Sequence, residues 1–148
     1  MKKILLTLIL ILYGCGYQPI YINKNLNNLE FKEIILKGEK DLNRIIVDSL
    51  SLKENKSNIL LNSIQITTDT LVEETSKNSK GQAQTYRTII TTELLITNNE
   101  EIIKNKTFTE DFSYNSRDNK FELVEYQDEV KDDILKKIIE EIVIYLSI

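Results

Sequence analysis

The chain has 148 residues and a formal net charge of −4 at pH 7, with 19 basic and 23 acidic side chains. An acidic chain of this kind does not suit nucleic-acid phosphates or a polybasic membrane patch. It contains one cysteine and no histidine, which excludes an internal disulfide, the usual general base of enzymes and the commonest zinc ligand.

The amino-terminal stretch MKKILLTLILILYGC has the three parts of an export signal. Lys2 and Lys3 give the charged start, Ile4 to Tyr13 form an apolar run broken only by Thr7, and small residues follow. The run is half of the ~20 apolar residues that span a bilayer, so it predicts a signal segment rather than an anchor helix.

Cys15 stands directly after this run, and the pattern Leu12-Tyr13-Gly14-Cys15 resembles the lipobox of bacterial lipoproteins. By that resemblance the thiol receives a diacylglyceryl group, the chain is cut before Cys15, and the new amino terminus is acylated, for example with palmitate. Multiple acyl chains give stable membrane attachment. Because Gly16 follows, rather than the Asp that resembles an inner-membrane retention signal, we expect the periplasmic side of the outer membrane. An ordinary signal peptide with a leftover cysteine, or a buried core cysteine, is the alternative.

Removal of the first 14 of 148 residues leaves 134, enough for one domain with a real core. The loss of Lys2 and Lys3 leaves 17 basic against 23 acidic side chains, a net charge of −6. We predict a signal peptide over 1–14, a lipidated amino terminus and tether over 15–28, and a single domain over 29–148. Segment 17–22 (YQPIYI) is predicted to be extended, since Pro19 disfavours a helix there.

The domain begins with an α/β pattern. Leu29 to Lys37 predicts a strand that carries Phe31, Ile34 and Leu36, and Gly38 ends it. Glu39 to Leu52 predicts the first helix, with an acidic residue near its start. Its apolar residues recur at helical spacing: Leu42, Ile45, Ile46 and Leu50.

Three long strands follow, because residues typical of pleated surfaces dominate from Asn58 to Ser116. We predict strands over Ile59–Val72, Gln82–Thr97 and Glu101–Tyr114, separated by a polar loop over Glu73–Gly81 and a turn at Asn98-Asn99. The alternation predicts one apolar face made of Leu60, Ile64, Ile66, Tyr86, Ile90, Leu94, Ile96, Ile102, Phe108, Phe112 and Tyr114. It predicts a second face, rich in threonine, made of Gln65, Thr67, Thr85, Arg87, Thr91, Glu93, Asn105, Thr107, Thr109 and Asp111.

The segment Glu122–Leu146 predicts a long terminal helix. Val130, Ile134, Ile138 and Ile142 recur every four residues, and charged residues cover the opposite side. The apolar stripe is widened by Leu135, Ile139 and Leu146. We interpret this wide stripe as packing across the sheet and touching the first helix; a groove for a partner is the alternative.

Four segments of the chain carry a resemblance to a known family: CGYQP, SKGQAQTYRTIITTELLI, TFTEDFSYN and EYQDEVKDDILKKIIEEIVIYL. Together with the order of the predicted elements, they resemble the LptE family, also called RlpB-like, of lipopolysaccharide-assembly lipoproteins. The resemblance implies an α/β (α+β) two-layer sandwich, with a four-stranded mixed sheet and two helices packed on one face. It also implies an outer-membrane lipoprotein that plugs and helps assemble the β-barrel LptD, supports lipopolysaccharide transport, and contacts lipopolysaccharide.

Phosphate groups of lipopolysaccharide call for Lys or Arg donors. The candidates are Lys77, Lys80, Arg87, Arg117 and Lys120, each of which is otherwise a solvated surface cation. The position where enteric members carry a basic residue near the start of the last helix reads Leu123 here.

Neighbouring acids such as Asp132-Asp133 and Glu140-Glu141 diverge on a helix and do not predict catalysis or Ca²⁺ binding. We therefore predict no enzyme, no metal and no cofactor beyond the covalent lipid on Cys15. The alternative function is that of a small lipoprotein in another assembly machine, such as the one inserting barrel proteins, or of a stand-alone periplasmic binding module.

Overall fold

The computed structural model describes residues 29–58 and 61–147. Cys15, the tether and Leu60 lie outside this range, so the expectations about them stay predictions. The elements run in the order β1 (Glu30–Phe31), β2 (Glu33–Gly38), α1 (Lys40–Ser49), β3 (Lys53–Glu54), β4 (Ser63–Lys77), β5 (Ala83–Asn98), β6 (Glu101–Asn115) and α2 (Lys120–Leu146).

The main sheet has four strands in the order β2-β4-β5-β6. β2 runs parallel to β4, whereas β4, β5 and β6 form an antiparallel meander. The short strands β1 and β3 form a separate parallel pair. Both helices pack on the same face of the main sheet, so the predicted α+β sandwich with a four-stranded mixed sheet and two helices is confirmed.

Register determines which side chains reach the core. The pairs Ile64↔Ile96 and Ile66↔Leu94 lie on the side covered by the helices, as do Ile90 and Phe108. The even-numbered residues of β4 and β5 along this stretch are buried and the odd-numbered ones are not. This alternation is what a sheet with one covered face requires.

The two helices meet the sheet with their apolar stripes. In α2 these are the predicted residues Val130, Ile134, Leu135, Ile138 and Ile142, each at most 5% exposed. In α1 the buried side chains are Leu42, Asn43 and Ile46. The Asn43 amide donates to the Lys37 carbonyl (2.6 Å), which fixes α1 to the end of β2.

Several predicted boundaries differ in the structure. The first predicted strand is divided into β1 and β2 at Lys32, whose N–H donates to the Asn62 carbonyl. The helix predicted over Glu39–Leu52 covers only Lys40–Ser49, and Ile45, predicted in its apolar stripe, is 42% exposed. The other three predicted positions, Leu42, Ile46 and Leu50, are buried. Ile45 lies ~100° around the helix from Ile46 and so points away from the sheet.

The prediction of a loop over Glu73–Gly81 holds for 78–81 but is wrong for Glu73–Lys77. β4 continues to Lys77, pairing Glu73 with Arg87 and Glu74 with Tyr86 before the register shifts. Both faces of this end of the strand are exposed, so the alternation that marks a half-buried strand is missing from its sequence.

The placement of Ile102 on the apolar face is also wrong. Lys104 pairs with Ile96, but Ile102 pairs with Thr97, so one residue is inserted between these two rungs of the ladder. Such a bulge reverses the alternation of β6 and leaves Ile102 on the face without helices, 62% exposed. Phe112 keeps its predicted face but remains 43% exposed.

Candidate functional site

Two loops meet at one end of the sheet, which we call the tip. One is the turn 78–82 between β4 and β5, and the other is the connection 116–119 between β6 and α2. The Ser116 N–H donates to the Gln84 carbonyl (2.7 Å), which joins the connection to the start of β5, directly after the turn.

The turn is built by Asn78. Its side-chain oxygen accepts from the N–H groups of Lys80 (2.9 Å) and Gln82 (3.0 Å), and its amide donates to the Gln82 side-chain oxygen (2.9 Å). Gly81 supplies the positive φ (+79°) that closes the turn. The bonds leave the Lys80 side chain exposed at the outermost point of the hairpin.

The connection to α2 is fixed at the other side of the tip. Asn119 caps the helix by accepting from the Phe121 N–H (2.9 Å). The Arg117 guanidinium stacks on Tyr126, 4.4 Å from its ring centre, and Tyr126 in turn packs edge-on against Tyr114. Arg117 is therefore oriented by an aromatic ring rather than by an ion pair.

The two loops enclose a concavity of about 540 Å³ at the tip. Its lining is polar and consists of Asn78, Gln82, Ala83, Gln84, Thr85, Asn115, Ser116, Arg117 and Asp118. Amides, hydroxyls and one guanidinium can form hydrogen bonds with the hydroxyl or phosphate groups of a polar ligand.

Four of the five cations predicted to contact phosphate lie at or near the tip, whereas Arg87 lies further along β5, and two of the five are already paired. Lys77 forms an ion pair with Glu74 (2.9 Å), and this hydrogen bond raises the pKa of Lys77. Arg87 binds Asp111 through two hydrogen bonds of 2.8 Å, which raise the pKa of Arg87 and lower the pKa of Asp111. An arriving phosphate would have to displace a carboxylate from either cation.

The other three candidate cations are better placed to bind a phosphate group. Within residues 29–58 and 61–147, no carboxylate forms an ion pair with Lys80, Arg117 or Lys120. Lys120 is the first residue of α2, next to the connection that carries Arg117. Leu123 is partly buried against the core and contributes packing.

The amides of the tip were missed because the sequence reading considered only charged groups there. An Asn followed three residues later by Gly, between two strands, is the signal for a turn closed by an Asn side chain. It could have placed Asn78 and Gln82 at the hairpin end.

A second surface is the face of the sheet on which the described residues place no helix, which we call the open face. The prediction of a threonine-rich polar surface holds for its centre, where the Thr91 and Thr109 hydroxyls lie 3.3 Å apart beside the Arg87–Asp111 pair. The face also carries apolar side chains that were not predicted: Ile35, Leu71, Ile89, Leu95 and Ile102. It is therefore a mixed surface.

No cluster of three or more metal-ligating side chains occurs among the residues that the structure describes. In that same part of the chain, no helix has the length and apolar character needed to cross a bilayer.

No protein-family profile matches the sequence, and no curated protein matches it. Solved structures do match, and they define a class: bacterial lipoproteins with this α+β fold. Rare lipoprotein B from Shewanella oneidensis aligns with a TM-score of 0.60 and 10% identity, over 78% of this chain and 93% of its own.

Two further structures show the same likeness. A minor lipoprotein from Acinetobacter baumannii has a TM-score of 0.51 and 14% identity, over 76% of this chain and 87% of its own. Lipoprotein B from Nitrosomonas europaea has a TM-score of 0.50 and 12% identity, over 84% of this chain and 88% of its own. At such identities the likeness is one of fold. The chain has the fold of rare lipoprotein B, so the RlpB-like resemblance seen in its sequence is confirmed at that level.

Proposed function

We propose that this chain is an outer-membrane lipoprotein, anchored through acyl chains on Cys15 at the periplasmic side. It acts without catalysis by occupying the lumen of a large β-barrel of the LptD type, helps that barrel to assemble, and supports the transport of lipopolysaccharide. The fold shared with bacterial lipoproteins supports the first part of this proposal.

The observation that carries the barrel-plug proposal is the open face. Strands of 15 and 16 residues extend roughly 50 Å at ~3.3 Å per residue, and the helices cover one face of them. The centre of the open face is hydroxyl-rich, with paired charges and scattered apolar side chains. Such a surface matches the polar, hydrated interior of a membrane barrel better than it matches lipid.

The tip supports the lipopolysaccharide part of the proposal. Arg117, Lys80 and Lys120 form no ion pair with a carboxylate in the described part of the chain. Arg117 lines the concavity together with amides, hydroxyls and the Asp118 carboxylate, while Lys80 lies on the turn beside it and Lys120 directly follows the connection. Sugars and phosphates are the ligand groups that such donors bind.

Site-specific photocrosslinking in cells tests the contact with the barrel. A photoreactive residue in place of Thr91, at the centre of the open face, should crosslink to the barrel. The same residue in place of Ser57, exposed at the end of the sheet opposite the tip, is the matched control and should give little crosslinking. The absence of a barrel adduct at Thr91, in a protein that reaches the outer membrane, would overturn the barrel contact.

Depletion of the protein separates this function from the role in another machine. Loss of mature barrel and of surface lipopolysaccharide is expected. Normal levels of both, with a general loss of other outer-membrane barrels, would instead support a role in barrel insertion. No change in either would leave a stand-alone binding module.

A further inference from the structure

The concavity at the tip carries two opposite charges. Arg117 and Asp118 both line it, and among the described residues no ion pair engages either of them. The other lining residues are uncharged: Asn78, Gln82, Ala83, Gln84, Thr85, Asn115 and Ser116. The lining therefore holds one cation and one anion, and these charges balance.

One wall of the concavity is fixed by hydrogen bonds within the protein. The side-chain amide of Asn78 donates to the side-chain oxygen of Gln82 (2.9 Å). The Thr85 hydroxyl lies 2.6 Å from the Thr75 hydroxyl and 2.7 Å from the Ser76 hydroxyl. Because these groups are already held in place, a ligand that contacts this wall loses little binding free energy to their ordering.

Three other lining side chains are not held in this way. In the part of the chain that the structure describes, no side-chain hydrogen bond engages Gln84, Asn115 or Asp118. The Arg117 guanidinium is oriented by the Tyr126 ring, and stacking leaves the N–H groups at its edge able to donate. The concavity thus presents two amides, each of which donates and accepts, beside a carboxylate that accepts and a guanidinium that donates.

This mixture of donors and acceptors matches the hydroxyl groups of a sugar better than it matches phosphate. Each sugar hydroxyl both donates and accepts, so it can bond to the Asp118 carboxylate as well as to the Arg117 guanidinium. The oxygens of a phosphate ion accept hydrogen bonds from Arg117, but the Asp118 carboxylate repels their negative charge. The volume of about 540 Å³ lies within the range of roughly 300–1,000 Å³ that small-molecule sites have.

We infer that the concavity at the tip binds the sugar rings of a saccharide, whose hydroxyl groups donate to Asp118 and accept from Arg117. Phosphate groups of the same ligand are met outside the concavity, by Lys80 on the turn and by Lys120 at the start of α2. The saccharide is that of lipopolysaccharide if the proposed function holds, and in this respect alone the site depends on that function.

Asp118→Asn tests the inference because sugar and phosphate respond to it in opposite directions. The probes are inorganic phosphate and the core oligosaccharide of lipopolysaccharide, freed of its acyl chains and phosphate groups by chemical hydrolysis. Loss of the carboxylate removes a charge-assisted hydrogen bond to the sugar and should weaken oligosaccharide binding roughly fivefold. The same change removes the repulsion of phosphate and should strengthen phosphate binding.

NMR titration of the full, isotope-labelled chain in detergent measures both affinities. It suits weak binding, which is expected because each new hydrogen bond replaces one with water. With the parent protein, the oligosaccharide should shift the resonances of Gln84, Asn115 and Asp118. Glu125→Gln, which changes an exposed acid of α2 outside the lining, is the matched control and should change neither affinity. Circular dichroism of each variant checks that it is folded.

Gln84→Ala is a second variant, and it leaves every charge in place. It should weaken oligosaccharide binding about threefold and leave phosphate binding unchanged. An oligosaccharide that shifts none of these resonances, or an Asp118→Asn variant that binds it as tightly as the parent does, would overturn the inference. Either outcome leaves the complex with the barrel untouched, whereas loss of that complex with sugar binding retained would contradict the proposed function alone.

Discussion

Gly38 offers a test of how the β2–α1 junction is built. It ends β2 with φ of +74°, and the next residue, Glu39, donates its N–H to the Thr68 carbonyl (2.8 Å). A Cβ added at Gly38 would overlap that carbonyl oxygen and lie 3.1 Å from the Asp69 carboxylate. The Gly38→Ala change therefore brings both a left-handed residue and a collision with backbone.

The two costs can be estimated separately. A left-handed conformation costs a non-glycine residue roughly 1 kcal/mol, and forcing a methyl group into packed surroundings costs about 1–3 kcal/mol more. We expect Gly38→Ala to lower the free energy of unfolding by about 2–4 kcal/mol. Gly81 is the matched control, since it has a similar φ of +79° but nothing within 4 Å of its added Cβ. Gly81→Ala should cost only about 1 kcal/mol.

Urea denaturation followed by circular dichroism measures both variants against the parent protein. A Gly38→Ala loss that exceeds the Gly81→Ala loss by about 1–3 kcal/mol is the expected result. Equal losses for the two variants would refute the claim that close backbone approach, and not φ alone, requires glycine at position 38.

Three further changes probe the turn, the open face and the anchor. Asn99 and Glu100 both have positive φ (+45° and +70°), as the two central residues of a type I′ turn do. Glu100→Gly should therefore stabilise the protein by about 1 kcal/mol in the same denaturation assay. A loss of stability would contradict the type I′ turn. Arg87 lowers the pKa of Asp111 in the folded protein. The ion pair therefore stabilises the fold at pH values above the pKa of an unfolded aspartate, and this stabilisation is lost as the pH falls through the lowered pKa of Asp111. Arg87→Gln should raise the Asp111 pKa in an NMR titration, and an unchanged pKa would disprove the coupling. Cys15→Ser should release the protein from the membrane fraction while its circular dichroism stays unchanged, whereas loss of folding would return Cys15 to the core.

Long periodic segments were the predictable part of the fold. The four-residue recurrence in α2 predicted its buried residues because a single helix face meets the sheet along 27 residues. The alternation in β5 was equally readable, since one of its faces is buried throughout its second half. Each pattern arises because one side of the element is buried, and the spacing of apolar residues in the sequence is enough to reveal such one-sided burial.

The missed features lack such a pattern. The end of β4 is exposed on both faces, so its polar residues read as a loop even though β5 pairs with them. The bulge opposite Ile96 and Thr97 inserts one residue without any local signal, and it moved Ile102 to the wrong face. The strands β1 and β3 have two residues each, too few to show any alternation.

The candidate site was predictable by residue type and not by pairing. Sequence placed five cations near two loops, but a sequence does not show that Asp111 holds Arg87 or that Glu74 holds Lys77. Of the five candidates, Arg117 is the one that lines the concavity, and it stacks on Tyr126 rather than pairing with a carboxylate.

The central proposal is that this lipoprotein fold works inside a barrel. Affinity purification of the full chain from outer membranes tests it most directly. A stoichiometric, detergent-resistant complex with a barrel of the LptD type is the predicted result. Recovery of the membrane-anchored protein without any barrel, or with the subunits of a different assembly machine, would contradict the account.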